Sequence, residues 1–344
     1  MPDRLKPHAA ALAAGLTGAA LAALVGVPAG PLVGATLAVA LAALAGWPVA
    51  MSVRLRDLAF AAIGVSLGSG VDERILSQLA QWATSLVVLL VALVATMAAS
   101  CVLLVRVFRI DPGTAVLSSA PGTMSNAIAI ALEGKGDATA VMGLQLIRLL
   151  VLVLAVPPIA AGLGGTEDAV AAGQAMDWAP LLAVGAVALL LGAAGTRLGL
   201  PAAFLLAGMF VSATGHALGL VHGAAPDWLI FAAFAVTGAV LGTRMSRVDA
   251  AMARRFAAAG LSLVAVAVLV SLGFAWLAAA LTGLPFGQVW VAFAPGGVEA
   301  MAAIGLALGY DPAFVAVHHV ARIFALVLIV PAFLALLAGS ARDD

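Results

Sequence analysis

Two stretches decide the fold: Ser118-Ser119-Ala120-Pro121-Gly122-Thr123, in the middle of the apolar segment 112–134, and Phe293-Ala294-Pro295-Gly296-Gly297, in the middle of the apolar segment 286–309. Proline removes a backbone donor and clashes with the preceding helical turn, so each stretch predicts a broken helix. Inside a membrane, the freed amide and carbonyl groups are tolerated only where protein or a polar cavity satisfies them. We therefore expect both breaks to face the interior of the protein.

The composition of the whole chain is that of a membrane protein. Of 344 residues, 64% are hydrophobic and 9% are charged, with a mean hydropathy of +1.18, whereas a soluble domain carries about 25% charged residues. The N-terminal segment has no small-residue cleavage pattern, so we interpret it as a retained helix and not as a signal sequence. Glycine, proline and charged residues separate apolar segments of helical length at 8–26, 31–49, 56–71, 79–105, 112–134, 138–163, 179–199, 201–219, 228–243, 256–282, 286–309 and 313–338.

The two halves of the chain repeat each other. Placing Pro121 over Pro295 also aligns, without a gap, the residue pairs Asp137 and Asp311, Arg148 and Arg322, Gly64 and Gly238, and Gly68 and Gly242. We call this alignment the repeat register; Pro28 and Pro201 pair one position away from it. A common register over so long a span indicates a duplication. We expect a first membrane repeat at 1–163, a polar linker at 164–178 and a second repeat at 179–344.

The positions of arginine and lysine indicate that the two repeats are inverted. Twelve full spans would divide these residues equally between the two sides of the membrane, although they normally stay on the cytoplasmic side. If both broken segments instead return to the side from which they enter, only Arg74 falls outside, Arg148 and Arg322 being within the membrane. The predicted fold is therefore an all-α integral membrane protein with two inverted-topology repeats, about ten transmembrane helices and two broken or re-entrant helices, with cytoplasmic termini.

Broken helices in corresponding positions of inverted repeats are the best sequence indication of a transport site. The half-helix after each break offers backbone donors and the positive end of its dipole to an anion. A kink used only for packing is the alternative for one motif, but its recurrence in the same register favours the transport interpretation. Candidate solute- or ion-binding residues at and after the breaks are Ser119, Pro121, Gly122, Ser125, Asn126, Pro295, Gly296, Gly297 and Glu299.

Glu299 is the only acidic residue between Gly260 and Tyr310. An acidic group within a membrane is a functional hypothesis by default, because its charged form is costly there. It could carry a coupling proton or bind a cation. A neutral, hydrogen-bonded glutamic acid that caps the half-helix is the alternative interpretation.

Five further candidate binding residues lie on the helices after the breaks: Gln145, Arg148, His318, His319 and Arg322. An arginine stays charged, so each must meet an acid, backbone carbonyls or an anionic ligand. Each arginine could either bind a substrate carboxylate or donate hydrogen bonds to the carbonyl groups of the adjacent break, and the sequence does not decide between these roles. His319 aligns with Gln145, which suggests a shared hydrogen-bonding position. The rings of the adjacent His318 and His319 point about 100° apart, so we predict no metal site and no cofactor.

Two motifs resemble a known family. Ala-Pro-Gly-Thr-Met-Ser at 120–125 with Gln145-x-x-Arg148, and Ala-Pro-Gly-Gly-Val-Glu at 294–299 with His318-His319-x-x-Arg322, resemble the AbrB-type duplicated bacterial membrane proteins over nearly the whole chain. Ser125 stands where that pattern usually has Glu, and Thr123 replaces its second glycine. The resemblance implies a distant relation to the cation/proton antiporter and anion transporter group, in which broken helices often cross the membrane. Family labels include a regulator of gene expression and an ammonia monooxygenase.

The sequence as a whole predicts a secondary transporter of the bacterial inner membrane, and not an enzyme. Its expected partners are the lipid bilayer and a small solute such as an organic anion. Coupling to H⁺ or Na⁺ is open, and a homo-oligomer is compatible with the sequence. A sensor that affects gene expression is one alternative, and a membrane oxidoreductase, which would need metal ligands, is another. Nucleic acid is not an expected partner, because the net charge is zero and no basic patch is present.

Overall fold

The computed structural model describes residues 2–70, 75–121, 124–164 and 175–340. Within these ranges the chain is helical and forms no β-strand, and one isolated bridge joins Ala175 and Ala224. The helices of the first half are α1 (Pro2–Leu24), α2 (Gly30–Leu44), α3 (Val53–Ser69), α4 (Ile75–Arg106), α5 (Pro112–Ser119), α6 (Met124–Ile130, continued by a π-turn at Ala131–Lys135) and α7 (Ala138–Gly162). Those of the second half are α8 (Trp178–Arg197), α9 (Ala203–Ala217), α10 (Asp227–Thr243, followed by a 3₁₀ turn at Arg244–Arg247), α11 (Ala250–Thr282), α12 (Phe286–Phe293), α13 (Val298–Ala307) and α14 (Pro312–Ser340).

The prediction of an all-α membrane protein is confirmed. In the described part of the chain, seven helices are long and apolar enough to cross a membrane, and α2, α9 and α13 are shorter apolar helices. Residues 165–174 of the predicted linker lie outside the described ranges. The number of crossings and the direction of each half remain predictions.

Glycines bring helices of the two halves into close contact. A Cβ atom on Gly64 of α3 would collide with the carbonyl oxygen of Leu205 in α9, and one on Gly238 of α10 would collide with that of Leu32 in α2. Only small residues allow backbones to approach this closely. Gly64 and Gly238 are equivalent in the repeat register, and Leu32 and Leu205 pair one position away from it, as Pro28 and Pro201 do. The contact between α3 and α9 is therefore matched by the contact between α10 and α2.

The starts of α2 and α9 share a backbone conformation. Ala29 precedes α2 with φ of 53°, and Ala202 precedes α9 with φ of 49°, both in the left-handed region. A residue with a Cβ rarely adopts this conformation because it costs roughly 1–2 kcal/mol. Each alanine directly follows one residue of the matched pair Pro28 and Pro201, so the same local strain is present at the same place in each half.

The short helices that precede the breaks, α5 and α12, lie in the interior. Val289, Trp290 and Val291 of α12 are fully buried, as are Ala115 and Val116 of α5. Trp290 donates a hydrogen bond through Nε1 to the hydroxyl of Ser271 on α11, at 3.2 Å. The expectation that the broken segments face inward is confirmed for α5 and α12, whereas α6 and the π-turn after it have exposed residues, among them Leu132.

Candidate functional site

The first break lies between α5 and α6. Asp111 caps α5 by accepting a hydrogen bond from the amide of Thr114 at 2.9 Å, and Pro112 occupies the first turn, where a missing amide costs little. The helix ends at Ser119 because Ala120 turns to an extended conformation before Pro121. The predicted site residue Gly122 lies outside the described residues, as does Thr123.

The second break lies between α12 and α13. Ala294 is extended, with φ of −56° and ψ of 137°, and α12 ends at the preceding residue. The amide of Gly296 donates to the Ala294 carbonyl at 2.8 Å, and α13 starts after the extended Gly297. Ala120 and Ala294 are equivalent in the repeat register, so both predicted breaks are present and begin at the same position of their segments.

The two membrane arginines hold the carbonyl groups of the breaks. Arg148 donates to the carbonyl oxygens of Ser118 and Ala120, both at 3.1 Å. Arg322 donates to the carbonyl oxygens of Ala294, at 2.6 Å, and of Gly296. Both arginines are buried, with 5% and 1% of their surface exposed. Their charges lie at the negative ends of α5 and α12, which helps to stabilise a guanidinium inside the protein.

Gln145 and His319 make a second pair of matching contacts. The side-chain amide of Gln145 donates to the Leu117 carbonyl at 2.9 Å. Nε2 of His319 lies 2.9 Å from the Val291 carbonyl and donates to it, because a carbonyl oxygen only accepts. Leu117 and Val291 are again equivalent in the repeat register. The predicted shared hydrogen-bonding position of Gln145 and His319 is confirmed.

The starts of α7 and α14, the long helices that follow the breaks, also make matching hydrogen bonds. The amide of Asp137 donates to the Thr114 hydroxyl at 2.7 Å, and the amide of Asp311 donates to the side-chain oxygen of Gln288 at 3.1 Å. Both aspartates cap the helix that they precede, α7 and α14. Each short helix before a break, α5 or α12, is thus connected to the long helix after the break by polar contacts at its start and at its end.

A cavity of about 570 Å³ opens between the second break and α6, the helix that follows the first break. Its walls come from both halves of the chain: α6 and α7, the residues before α9, the turn after α10, the second break and α14. Of the predicted site residues, seven line it, namely Asn126, Gln145, Arg148, Pro295, Gly296, Gly297 and Glu299. Apolar wall is supplied by Leu149, Ile323, Phe324 and Val327. The volume is within the usual range of about 300–1,000 Å³ for small-molecule sites.

Other predicted site residues lie outside the lining of this cavity. Pro121 and Arg322 border a void of about 10 Å³, close to the volume of a single water. Ser119 is buried and donates to the Ala115 carbonyl at 2.7 Å. Ser125 is in α6. His319 donates to the Val291 carbonyl, and Arg322 donates to the carbonyls of Ala294 and Gly296.

His318 faces away from His319. Its Nδ1 lies 2.8 Å from the Phe314 carbonyl, and its Nε2 lies 2.8 Å from the Ser85 hydroxyl on α4. The ring also contacts Phe314, with 3.9 Å between ring centroids. With His319 directed to Val291, the two imidazoles have separate partners. No group of three His, Cys, Asp or Glu side chains suited to a metal occurs among the described residues.

Arg244 is a cavity residue that the sequence interpretation missed. It begins the 3₁₀ turn after α10, and in the sequence it was interpreted only as one of the cations that mark the cytoplasmic side. In the structure it lines the cavity together with Glu299. Glu299 is in the first turn of α13 and is half-buried, as Arg244 is. The sequence carried no specific signal for this position: the repeat register places Gly70 opposite Arg244, but the neighbouring Arg247 also lacks a basic counterpart.

Two known proteins are similar to most of this chain. The protein named "Putative regulator AbrB" of Escherichia coli (strain K12) is 26% identical over 278 residues, 79% of this chain and 79% of that protein. The "Uncharacterized protein YhjN" of Bacillus subtilis (strain 168) is 28% identical over 295 residues, 80% of this chain and 76% of that protein.

A family described as "Transition state regulatory protein AbrB" matches residues 31–338. The match includes both breaks, the buried Arg148 and Arg322, and all the walls of the cavity. It extends over far more than half of the chain, so the resemblance inferred from the motifs is confirmed: the chain belongs to the AbrB family.

Proposed function

We propose that this protein is a secondary transporter of the bacterial inner membrane that moves a small organic anion by alternating access. The observation that carries the proposal is the cavity of about 570 Å³ between two broken helices, with walls from both halves of the chain. Non-helical backbone at membrane depth is tolerated where it lines a polar cavity, and such breaks form the binding sites of many secondary transporters.

The matching contacts of the two halves support two inverted repeats at 1–163 and 179–344. Each break has an arginine and a second donor at equivalent positions, Arg148 with Gln145 and Arg322 with His319. In each break the carbonyl groups that accept these bonds are therefore held by donors of the same half. Because α1–α3 pack against α8–α10 across the two halves, movement of these six helices against the remaining helices can open the cavity to either side without breaking these bonds.

Glu299 is the candidate for ion coupling. It lines the cavity, and none of the described residues donates a hydrogen bond to it. A carboxylate that is accessible from the cavity can exchange a proton or bind Na⁺, whereas a carboxyl group that only capped α13 would be occupied by backbone donors.

The test is solute uptake by the purified protein in liposomes, with and without a pH or Na⁺ gradient. The proposal expects saturable uptake of organic anions that is abolished when a cross-link joins the turn after α10 to the start of α13, on opposite walls of the cavity. A complete lack of uptake over a broad panel of small solutes, with folded protein in the vesicles, would contradict it. A Glu299→Gln variant should lose dependence on the driving ion.

A regulatory role is the second candidate, favoured by the names of the family and of the E. coli relative. A transporter can alter gene expression through the solute that it moves. The two functions separate if a variant that the liposome assay shows to be inactive in transport is placed in a deletion strain. Restoration of normal transcript levels by that variant would favour regulation that does not depend on transport.

A further inference from the structure

Two charged side chains in the cavity have no hydrogen bond or ion pair with the part of the chain that the structure describes. Arg244 and Glu299 line the cavity, and neither takes part in a hydrogen bond or an ion pair with the residues that the structure describes. Arg148 differs, because its guanidinium donates to the carbonyls of the first break. The cavity therefore contains one cation and one anion whose hydrogen-bonding groups are available to a ligand, while the Glu299 charge acts on Arg244 through space.

These two charges are absent from the other half. The repeat register places Gly70 at the position of Arg244 and Ser125 at that of Glu299. The contacts that hold the breaks recur in both halves, whereas the available charges occur in one. Most charged residues of the chain lack a counterpart in the repeat register, so the missing match alone selects no role for this pair. What points to recognition of the solute is the position of both charges on the cavity wall, without a hydrogen bond to the described residues.

The charge of the cavity selects among ligand classes. Arg148, Arg244 and Glu299 are the only ionisable residues among its described lining residues, and their formal sum is one positive charge. The N-terminus of the ten-residue α13 adds to this potential, because Gly297 and Val298 also line the cavity. A monoanion would neutralise the site, whereas a zwitterion would leave the positive charge and a dianion would create a negative one. Uncompensated charge is costly away from water.

The apolar wall restricts the ligand further. Leu149, Ile323 and Phe324 form part of the large cavity. Asn126 and Val327 are shared with a second, mostly apolar cavity of about 230 Å³ between α6 and α14. A ligand that is charged at one end can therefore place a hydrocarbon body against this wall and extend it past Asn126.

We propose that Arg244 binds the anionic group of a small organic monoanion with an apolar body, a carboxylate or a sulfonate, and that Glu299 excludes dianions by charge repulsion. The inference rests on the proposed function, in which this cavity is the solute site. It assigns the carboxylate-binding role to Arg244, while Arg148 and Arg322 hold the breaks.

The test measures binding to the purified protein in detergent by calorimetry, and uptake in liposomes, with the same probes. The probes are butyrate, benzoate and benzenesulfonate as monoanions, succinate as a dianion and leucine as a zwitterion. The wild type should bind and transport a monoanion and reject succinate and leucine. Preference for succinate or leucine would overturn the charge assignment.

Variants assign the roles to residues. Arg244→Gln should weaken monoanion binding by about ten- to a hundredfold, the range expected for loss of a charged hydrogen bond, and Arg244→Lys should restore part of it. Arg247→Gln, in the same 3₁₀ turn but exposed and outside the cavity lining, is the matched control and should bind as the wild type does. Glu299→Gln should admit succinate.

The outcomes separate the two proposals. Binding of a monoanion that depends on Arg244, without uptake in any gradient, would preserve the recognition site and contradict transport. Uptake of a monoanion with equal affinity in the wild type and Arg244→Gln would preserve transport and contradict the role of Arg244. Thermal unfolding of each variant in detergent verifies that a lost signal does not reflect a lost fold.

Discussion

Arg148 and Arg322 donate hydrogen bonds to the carbonyl oxygens of Ala120 and Ala294, so that two arginines at equivalent positions of the repeat hold two equivalent carbonyl groups. Each arginine also reaches a second carbonyl of the same break. The bonds join the end of α5 to α7 and the end of α12 to α14, and they compensate the backbone bonding that the prolines remove.

Replacing either arginine with lysine should destabilise the protein. A lysine retains the charge but lacks the planar fork that reaches two carbonyl oxygens. Arg148→Lys and Arg322→Lys should each lower the free energy of unfolding by about 1.5–3 kcal/mol, the value of a hydrogen bond to a charged group. SDS-induced unfolding in mixed micelles, followed by tryptophan fluorescence, measures this change. Arg197→Lys at the exposed end of α8 is the control, and equal stability of all three variants would contradict the structural role.

Adding one methyl group at the glycine contacts should separate helices of the two halves. Gly64→Ala and Gly238→Ala each place a Cβ against a backbone carbonyl that cannot move aside. We expect a loss of about 1–3 kcal/mol of unfolding free energy, as for other overpacked sites, seen as a lower Tm by differential scanning fluorimetry. Gly185→Ala in α8 meets no atom within 4 Å and should leave Tm unchanged or slightly raised, since alanine is the better helix former.

Inversion of the repeats places the loops at Arg109 and Arg247 on the same face of the membrane. Both residues are exposed, and Cys101 is the only native cysteine, so Arg109→Cys and Arg247→Cys can be made in a Cys101→Ala background. Neither should react with a membrane-impermeant maleimide in intact cells, and both should react in inside-out vesicles. The exposed His222, replaced by cysteine, should show the opposite pattern. Labelling of Arg109→Cys and Arg247→Cys from opposite sides would rule out the inverted arrangement.

Removing both central histidines should leave the metal content of the protein unchanged. His318 is directed to Ser85 and His319 to Val291, so their rings do not converge on a shared ion. The double variant His318→Ala/His319→Ala should therefore contain as much copper and iron as the wild type by inductively coupled plasma mass spectrometry. A stoichiometric loss of either metal would support the oxidoreductase alternative.

The breaks and their donors were predictable from sequence because their causes are local. A proline in mid-segment interrupts the helix wherever it lies, and a buried arginine needs partners in any fold. The register of the duplication added the pairing of Gln145 with His319. The partner of each arginine was not predictable, since a backbone carbonyl and a substrate carboxylate satisfy a guanidinium equally well and the sequence contains no distances.

The position of Arg244 in the cavity could not be predicted from the sequence. Its place at the end of α10 resembles that of any cation at a membrane boundary. Its exposure to the cavity depends on how the turn after α10 meets α13, with the whole of α11 and α12 between them in the chain. Such a tertiary contact leaves no local pattern in the sequence. The missing counterpart at Gly70 does not distinguish Arg244 from the neighbouring Arg247, which pairs with Glu73 in the repeat register.

The reciprocal glycine contacts have a consequence for how the chain arose and how it assembles. Since α3 rests on α9 and α10 rests on α2, neither half can cover its own packing surfaces alone. On the proposed duplication, an ancestor of half this length would have worked as a dimer of identical subunits inserted in opposite senses. The same interlocking means that the surfaces of α2 and α3 wait for their partners until α9 and α10 have been synthesised.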